Sequence, residues 1–74
     1  MSKITPLKPN DMIRALEKIG FRHLRQSGSH AVYRHPDGRW ATVPIHKGKE
    51  LAKGLVHKIL KDAQLSWDEF KEYL

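Results

Sequence analysis

A histidine that follows a glycine and a serine is the first residue in this chain to which chemistry can be assigned. Gly28, Ser29 and His30 lie between two segments with strand-like composition. Glycine permits a sharp backbone turn, so the next strand begins with an imidazole at the end of a sheet, within reach of a substrate. An imidazole titrates near neutral pH and can accept a proton from a nucleophile or donate one to a leaving group. The alternative is an ordinary surface histidine at the start of a strand.

The other histidines carry weaker signals. His46 opens a basic loop and is an auxiliary candidate, whereas His23, His35 and His57 are expected to be hairpin or surface residues. No two histidines follow the HxH or HxxxH spacing of a metal site, and the absence of cysteine excludes a thiol nucleophile, a thiolate zinc site and a disulfide. The sequence therefore predicts no metal site and no cofactor.

Cationic side chains surround these histidines in the sequence. They are Lys47, Lys49 and Lys53, before or at the start of a predicted helix, and Arg22, Arg25, Arg34 and Arg39 on predicted strands. The N–H groups and dipole at the start of a helix favour an anion, and the lysines add positive charge. Such a surface suits an RNA backbone recognised through its phosphates and 2′-hydroxyls. The alternative is a solvated loop with no ligand.

The net charge of +6 over 74 residues is unevenly distributed. Residues 1–61 carry +9 and residues 62–74 carry −3, which favours a polyanionic partner for the basic part. The length predicts a single domain over 1–74, and the share of Leu, Ile, Val and Phe, about a quarter, predicts that it folds. No stretch approaches the roughly 20 apolar residues of a membrane span, and no signal peptide follows Met1, so we expect a soluble, cytoplasmic protein.

The elements that must position these residues follow from periodicity and turn residues. Residues 1–8 lack periodicity and are expected to form a flexible lead-in. A helix is predicted over about 9–19, with Pro9 in its first turn and Gly20 as its stop. Three strands are predicted, at 21–26, 30–35 and 39–45, with turns at 27–29 and 36–38. Pro44 indicates that the third strand ends there or has an unpaired edge.

The second half of the chain is predicted to be helical. A second apolar stripe predicts a helix that starts between residues 50 and 54 and reaches about residue 63. Ser66 and Glu69 match a capping box that opens a short terminal helix over 66–74. The predicted fold is α+β with the order α-β-β-β-α: helices against one face of a three-stranded antiparallel sheet, plus a short C-terminal helix.

Three aromatic residues cluster near the end of the chain: Trp67, Phe70 and Tyr73. They fall on one face of the terminal helix, and we expect them to dock that helix on the core. The alternative is an exposed anchor for a partner protein, which would make the chain a protein-interaction adaptor.

The order of these motifs resembles the HicA toxins of bacterial toxin–antitoxin pairs. The resemblance rests on Arg25-Gln26-Ser27-Gly28-Ser29-His30, on Tyr33-Arg34-His35-Pro36-Asp37-Gly38-Arg39, on Thr42-Val43-Pro44, and on His46. It continues through Lys49-Glu50-Leu51, Gly54, Ile59-Leu60 and Ala63-Gln64-Leu65-Ser66, and it covers about residues 9–66. The chain departs from the family at Lys53, where many members have proline, and the terminal segment 67–74 carries none of the resemblance.

The resemblance implies a fold like the double-stranded-RNA-binding domain, which agrees with the predicted order of elements. It also implies an endoribonuclease that cleaves mRNA (an mRNA interferase), acts in stress response and is neutralised by a HicB-type antitoxin. In that family the histidine of the Gly-Ser-His motif is catalytic, and it corresponds to His30. The alternative is a non-catalytic RNA-binding module of the same fold.

The chemistry that we expect is independent of metal ions. The 2′-hydroxyl of the RNA attacks the adjacent phosphorus, His30 acts as general base or general acid, and basic side chains stabilise the charge on the phosphoryl oxygens. The expected phosphate-binding residues are Arg25, Arg34, Lys47, Lys49 and Lys53, and the auxiliary candidates are Ser29 and His46. The sequence does not identify the second proton-transfer group, for which His46 and a lysine are both candidates.

Overall fold

The order of elements in the structure is the predicted one. The computed structural model describes residues 3–74. It contains α1 (Pro9–Ile19), β1 (Arg22–Ser27), β2 (His30–Arg34), β3 (Trp40–Pro44), α2 (Lys53–Asp62), α3 (Trp67–Phe70) and a 3₁₀ turn (Lys71–Tyr73). The strands form one antiparallel sheet in the order β1-β2-β3. The predicted α+β fold, similar to the double-stranded-RNA-binding domain, is confirmed. Within residues 3–74, no helix has the length and apolar character needed to cross a membrane.

The two longer helices cover only one face of the sheet. Ala31 and Tyr33 of β2 and Ala41 and Val43 of β3 are buried in the core together with residues of both helices. Since side chains alternate along a strand, the other residues of β2 lie on the opposite face. We call this face, away from α1 and α2, the outer face. The sheet therefore has one side for stability and one side that the helices leave open.

The corner between α1 and the sheet is built around Gly20. This residue ends α1 with a φ of 125°, and a Cβ atom there would lie 2.8 Å from Nε2 of His35. The next residue, Phe21, is fully buried, and its ring packs edge-on against the His35 ring with 5.2 Å between centroids. The guanidinium of Arg39 lies 5.4 Å from the centre of the Phe21 ring. These contacts hold α1 against the turn between β2 and β3.

The boundaries of all three strands differ from the prediction by one residue: β2 ends at residue 34 rather than 35, β3 spans 40–44 rather than 39–45, and β1 spans 22–27 rather than 21–26. The strand begins at Arg22 rather than at residue 21, because Phe21 is buried against the core before the pairing with β2 starts. Every residue of β1 is exposed, and a bulge interrupts its pairing with β2 between His23 and Arg25. β3 is an edge strand that ends at Pro44, as predicted from the missing N–H of proline.

The segment before α1 is anchored to the domain through Leu7. Leu7 and Leu51 exchange two backbone hydrogen bonds, and Ile4 and Leu7 pack against the core. The predicted flexible lead-in is thus anchored at Leu7, since that residue gains both a backbone partner and apolar contacts. Met1 and Ser2 lie outside the described residues.

The C-terminal segment docks on the core as expected. The capping box is present: the Glu69 N–H donates to the Ser66 hydroxyl at 3.1 Å, and the Ser66 N–H donates to the Glu69 carboxylate at 3.4 Å. The predicted single helix over 66–74 is a one-turn α-helix followed by a 3₁₀ turn. Phe70 is fully buried and Trp67 packs against the core, so these two aromatic residues are not an exposed anchor; Tyr73 is 40% exposed.

The corner predicts a large difference between two glycine-to-alanine substitutions. Gly20→Ala forces a Cβ against the His35 ring at a positive φ, which we expect to cost about 1–3 kcal/mol. A loss of that size lowers Tm by about 4–8 °C per kcal/mol in a domain of this length. Gly54→Ala is the control, because Gly54 is in α2 and a Cβ atom there would enter open space, so Tm should be unchanged or higher. Thermal unfolding followed by circular dichroism measures both, and equal Tm values would contradict the assigned role of Gly20.

Candidate active site

His30 lies at the entrance to the central strand of the sheet. It is the first residue of β2, is exposed, and pairs with Ser27 of β1 and Pro44 of β3. Gly28 makes the preceding turn possible with a φ of 59°. By alternation from buried Ala31, His30 lies at one end of the outer face. The predicted position of an accessible imidazole at a strand start is therefore present.

One backbone hydrogen bond brings His46 to the same end of the sheet. The Ile45 N–H donates to the Ser29 carbonyl oxygen at 2.6 Å. His30 and His46 are the next residues after Ser29 and Ile45, so the two histidines start from neighbouring points of the backbone. Both are exposed. The sequence separates them by sixteen positions, and the end of the sheet brings them together.

The loop that follows His46 borders a cleft with a volume of about 520 Å³. The cleft, here called the loop cleft, is lined by Lys8, Pro9, Asn10, Ile45, His46, Lys47, Gly48, Lys49 and Glu50. Lys47 and Lys49 are thus brought together with Lys8, which sequence reasoning missed because it assigned residue 8 to a lead-in. Lys53, the first residue of α2, does not line this cleft. Three lysines against one glutamate make the loop cleft cationic.

Three of the four arginines predicted on strands, Arg22, Arg25 and Arg34, lie on the outer face, separate from the loop cleft; Arg39 lies instead in the turn between β2 and β3, because it packs on Phe21 and bonds to Asp37. The strand register forms three rows across this face: Ser27, His30 and Pro44; then Arg25, Val32 and Thr42; then Arg22, Arg34 and Trp40. None of these residues is acidic. The guanidinium of Arg34 lies 5.3 Å from the centre of the Trp40 ring. The five predicted phosphate-binding residues are therefore not one patch: Arg25 and Arg34 share the outer face, Lys47 and Lys49 share the loop cleft, and Lys53 begins α2.

Other side chains that could transfer protons are directed elsewhere. Tyr33 lies in the core, and burial, with a smaller effect from the negative charge of Glu17, raises the pKa of its hydroxyl. The His23 ring packs edge-on against Tyr33 with 5.4 Å between centroids, and His57 lies on α2. Among the histidines, His46 is thus the one that shares the sheet end with His30.

The turn between β2 and β3 has an architectural role. The Asp37 carboxylate accepts hydrogen bonds from the Arg39 backbone N–H at 3.0 Å and from Arg39 Nε at 2.8 Å. The backbone N–H of Asp37 donates to Nδ1 of His35 at 3.2 Å. Arg39 also donates to the Ala63 carbonyl at 3.3 Å, just beyond α2. His35, Asp37 and Arg39 therefore tie the turn to α2 and to the corner at Phe21, at the opposite end of β2 from His30.

Electrostatics at this turn shift the ionisation of Asp37. Partial desolvation acts to raise the pKa of its carboxyl. The hydrogen bonds from the Arg39 N–H and guanidinium, together with the positive charge of Arg39 and a smaller effect of His35, outweigh it, and the pKa lies below its ordinary value of 3.8.

A metal centre would need converging ligands. Across residues 3–74, no three His, Asp or Glu side chains come together as a group that could hold a metal ion. The acidic residues of the chain lie on α1, at the turn between β2 and β3, at the end of α2 and on the C-terminal elements, with Glu50 at the loop cleft.

Comparison with known proteins identifies the family. The family described as HicA toxin of bacterial toxin–antitoxin matches residues 9–65. This range contains the Gly-Ser-His turn, the arginines of the outer face and the loop after β3. The chain belongs to the HicA toxin family. None of the curated proteins searched matches it significantly.

Membership gives this HicA toxin its general role as the toxin of a toxin–antitoxin pair, with a cognate antitoxin as partner. The matched range begins at α1 and ends before α3. Lys8 of the loop cleft and the C-terminal aromatic residues therefore lie outside the range that the family model matches.

The lowered pKa of Asp37 predicts a dependence of stability on acid. Because the folded carboxyl binds a proton less readily than the unfolded one, its contribution is complete well above pH 3.8 and is lost as the pH falls through the folded pKa. Asp37→Asn should therefore have a lower free energy of unfolding than the wild type at neutral pH, and the two values should converge below pH 3.8. Urea unfolding at a series of pH values measures this difference. Curves that stay parallel through the acid range would contradict the role given to Asp37.

Proposed function

We propose that this toxin is an endoribonuclease that cleaves mRNA, with His30 as a proton-transfer residue. The observation that carries the proposal is the exposed position of His30 at the end of the cationic outer face, next to the backbone hydrogen bond that joins Ser29 to Ile45 of the loop cleft. A strand of RNA that runs from one surface to the other passes the imidazole with basic side chains opposite its phosphates. Phosphate contacts of this kind position a nucleic acid without reading its sequence.

The proposed reaction uses the nucleophile that RNA itself carries. The 2′-oxygen forms a bond to the adjacent phosphorus while the bond from that phosphorus to the 5′-oxygen breaks. One group accepts the proton of the 2′-hydroxyl, and another donates a proton to the departing 5′-oxygen. The products are a 2′,3′-cyclic phosphate and a 5′-hydroxyl.

His30 and His46 are the two groups that we assign to these proton transfers. The hydrogen bond between Ile45 and Ser29 supports the pairing, because it holds the backbones before the two histidines side by side. Lys47 and Lys49 extend from the segment that follows His46 and stabilise the charge that develops on the phosphoryl oxygens. DNA lacks the 2′-hydroxyl, so it is expected to bind without being cleaved.

The cognate antitoxin is proposed to be of the HicB type and to present an acidic surface. The outer face and the loop cleft are both cationic, so a negatively charged partner covers the residues that RNA needs and excludes it. Attraction of this kind weakens as salt screens the charges. The affinity of the toxin for its antitoxin should therefore fall as ionic strength rises.

The catalytic role of His30 is tested with two histidine variants. His30→Ala should lower the rate of RNA cleavage by about 10²- to 10⁴-fold, the usual contribution of one proton-transfer group. His57→Ala, an exposed histidine on α2, is the matched control and should cleave at the wild-type rate. The measurement is cleavage of end-labelled mRNA with and without EDTA, with Tm as the check on folding.

Three outcomes of that assay decide between the alternatives. Full activity of His30→Ala contradicts the assignment of the residue. RNA binding by the wild type without any cleavage favours the non-catalytic RNA-binding module. A wild-type rate that EDTA abolishes contradicts the metal-independent reaction. In the same assay, His46→Ala should remove one limb of the bell-shaped pH profile of kcat if His46 is the second group.

Phosphate contacts in the loop cleft predict a change in salt dependence. On single strands, each phosphate contact contributes about −0.7 to the slope of log K against log salt. The double variant Lys47→Gln/Lys49→Gln should therefore bind RNA more weakly, with a slope about 1.4 units less steep. Lys61→Gln, an exposed lysine at the end of α2, is the control and should keep the wild-type slope. Fluorescence anisotropy over a salt series measures it; an unchanged slope for the double variant would remove these lysines from the interface.

A further inference from the structure

We propose that the outer face binds unpaired RNA bases beside the cleaved phosphate, with Trp40 and Arg34 as the stacking platform. The inference rests on the proposed function for its ligand, RNA, and deepens it by naming single-stranded RNA as the form that is bound and a base subsite away from His30. Four observations carry it: an exposed tryptophan on the outer face, a depression that borders Arg34, arginines without ion pairs and the distance to His30.

Trp40 is a large aromatic residue that the fold leaves in solvent. It is the first residue of the edge strand β3 and is 44% exposed, while its neighbour Ala41 is fully buried on the other face. The guanidinium of Arg34 lies against its ring at 5.3 Å, so two planar groups already lie together. Aromatic rings and guanidinium planes are the surfaces on which proteins stack unpaired bases.

A shallow depression of about 320 Å³ adjoins Arg34. It is lined by Arg22, His23, Leu24, Arg34, His35 and Pro36. The bulge between His23 and Arg25 contains Leu24, which is 49% exposed. The depression therefore offers apolar surface, which a base can cover, and guanidinium groups, which a phosphate can approach.

The charges on this face complement a phosphate backbone. Arg25 and Arg34 form no ion pair with any residue between 3 and 74, and the outer face has no acidic residue. Arg22 differs, since it donates to the carbonyl oxygens of Glu17 and Phe21. Val32, between the arginines, is only 7% exposed, so there is no cavity at the middle of the face. A ligand can therefore lie across this surface from one row to the next.

The distance along β2 connects the platform to the proposed reaction. His30 and Arg34 are four residues apart on the same face, which corresponds to about 13 Å at the usual rise of a strand. A few nucleotides can cover that distance with their phosphates near Arg25. In double-stranded RNA the bases are stacked on one another, so none presents its face to Trp40. The arrangement therefore favours a single strand over a duplex.

A protein partner fits this face less well. Trp40 shares its row with Arg34 and Arg22, and the other exposed apolar residue near it, Leu24, lies in the bulge beside Arg25. A phosphate backbone matches the rows of arginine directly. Binding of the cognate antitoxin or of a second copy of this chain to the outer face is the alternative that the test distinguishes.

The test measures RNA binding in a variant that does not need to cleave. In a His30→Ala background, the probes are a short unstructured labelled RNA and the same RNA annealed to its complement. Adding Trp40→Ala should weaken binding of the single strand by about 5- to 150-fold, the range found when one stacking aromatic residue is removed, and leave binding of the duplex unaffected.

Trp40→Leu, which retains apolar surface without a ring, should show the same loss, whereas Trp40→Phe should retain most of the affinity. Tyr73→Ala, at 40% exposure on the C-terminal turn, is the matched control and should bind as the background does.

Each outcome of this experiment supports or overturns the inference. Unchanged single-strand affinity in Trp40→Ala and Trp40→Leu overturns it, as does an equal loss for strand and duplex. Unchanged RNA affinity with weaker binding to the antitoxin, or with a changed sedimentation coefficient, overturns it in favour of a protein interface. If Trp40→Ala fails to fold, Trp40→Leu against Trp40→Phe decides. A wild type that does not cleave RNA while Trp40→Leu loses single-strand binding would reject the endoribonuclease and leave the stacking platform supported.

Discussion

The covering of only one face of a three-stranded sheet is the constraint on which the rest of this structure depends. A chain of 74 residues has enough apolar side chains for one core layer, and both longer helices pack on the same side. The alternating residues of β2 therefore fall into two sets, one that packs in the core and one that lies on the outer face. Ala31 and Tyr33 enter the core, while His30 and Arg34 lie on the face that stays open. Stability and access to the candidate site are therefore set by the same strand.

The two most recognisable motifs of the chain act at opposite ends of that strand. Gly28, Ser29 and His30 form the entrance to β2, where the backbone also bonds to the loop that carries His46. His35, Asp37 and Arg39 form its exit, where they hold α1, α2 and the turn together. In the second motif, His35 and the Asp37 carboxylate lie at hydrogen-bond distance, as a catalytic pair would. The contacts of this motif are all with other parts of the fold, so we assign it a structural role.

Much of the fold could be predicted because local signals agreed with one another. Pro9 and Gly20 bound α1, Pro44 ends β3, and Ser66 with Glu69 caps α3, each through a local backbone requirement. The errors arose where tertiary contacts decide. Phe21 leaves the strand because the core buries it, and Leu7 is anchored because Leu51 lies opposite. The capping box starts the last helix correctly, and the change from an α turn to a 3₁₀ turn carries no local signal that we recognised.

By itself, the sequence determined the order of elements, the basic body with its acidic tail, and His30 as the residue most worth testing. These follow from periodicity, turn chemistry, charge and motif order, all of which are readable along one chain. Only the tertiary structure decided which cations share a surface. Lys8 joins Lys47 and Lys49 at the loop cleft because α1 packs beside the loop after β3, and Arg34 lies against Trp40 because the antiparallel register pairs the two residues. Spacing along the chain does not fix the strand register, and a slip of one residue would move the side chains of that strand to the other face; nor does it fix which loop lies beside the start of α1.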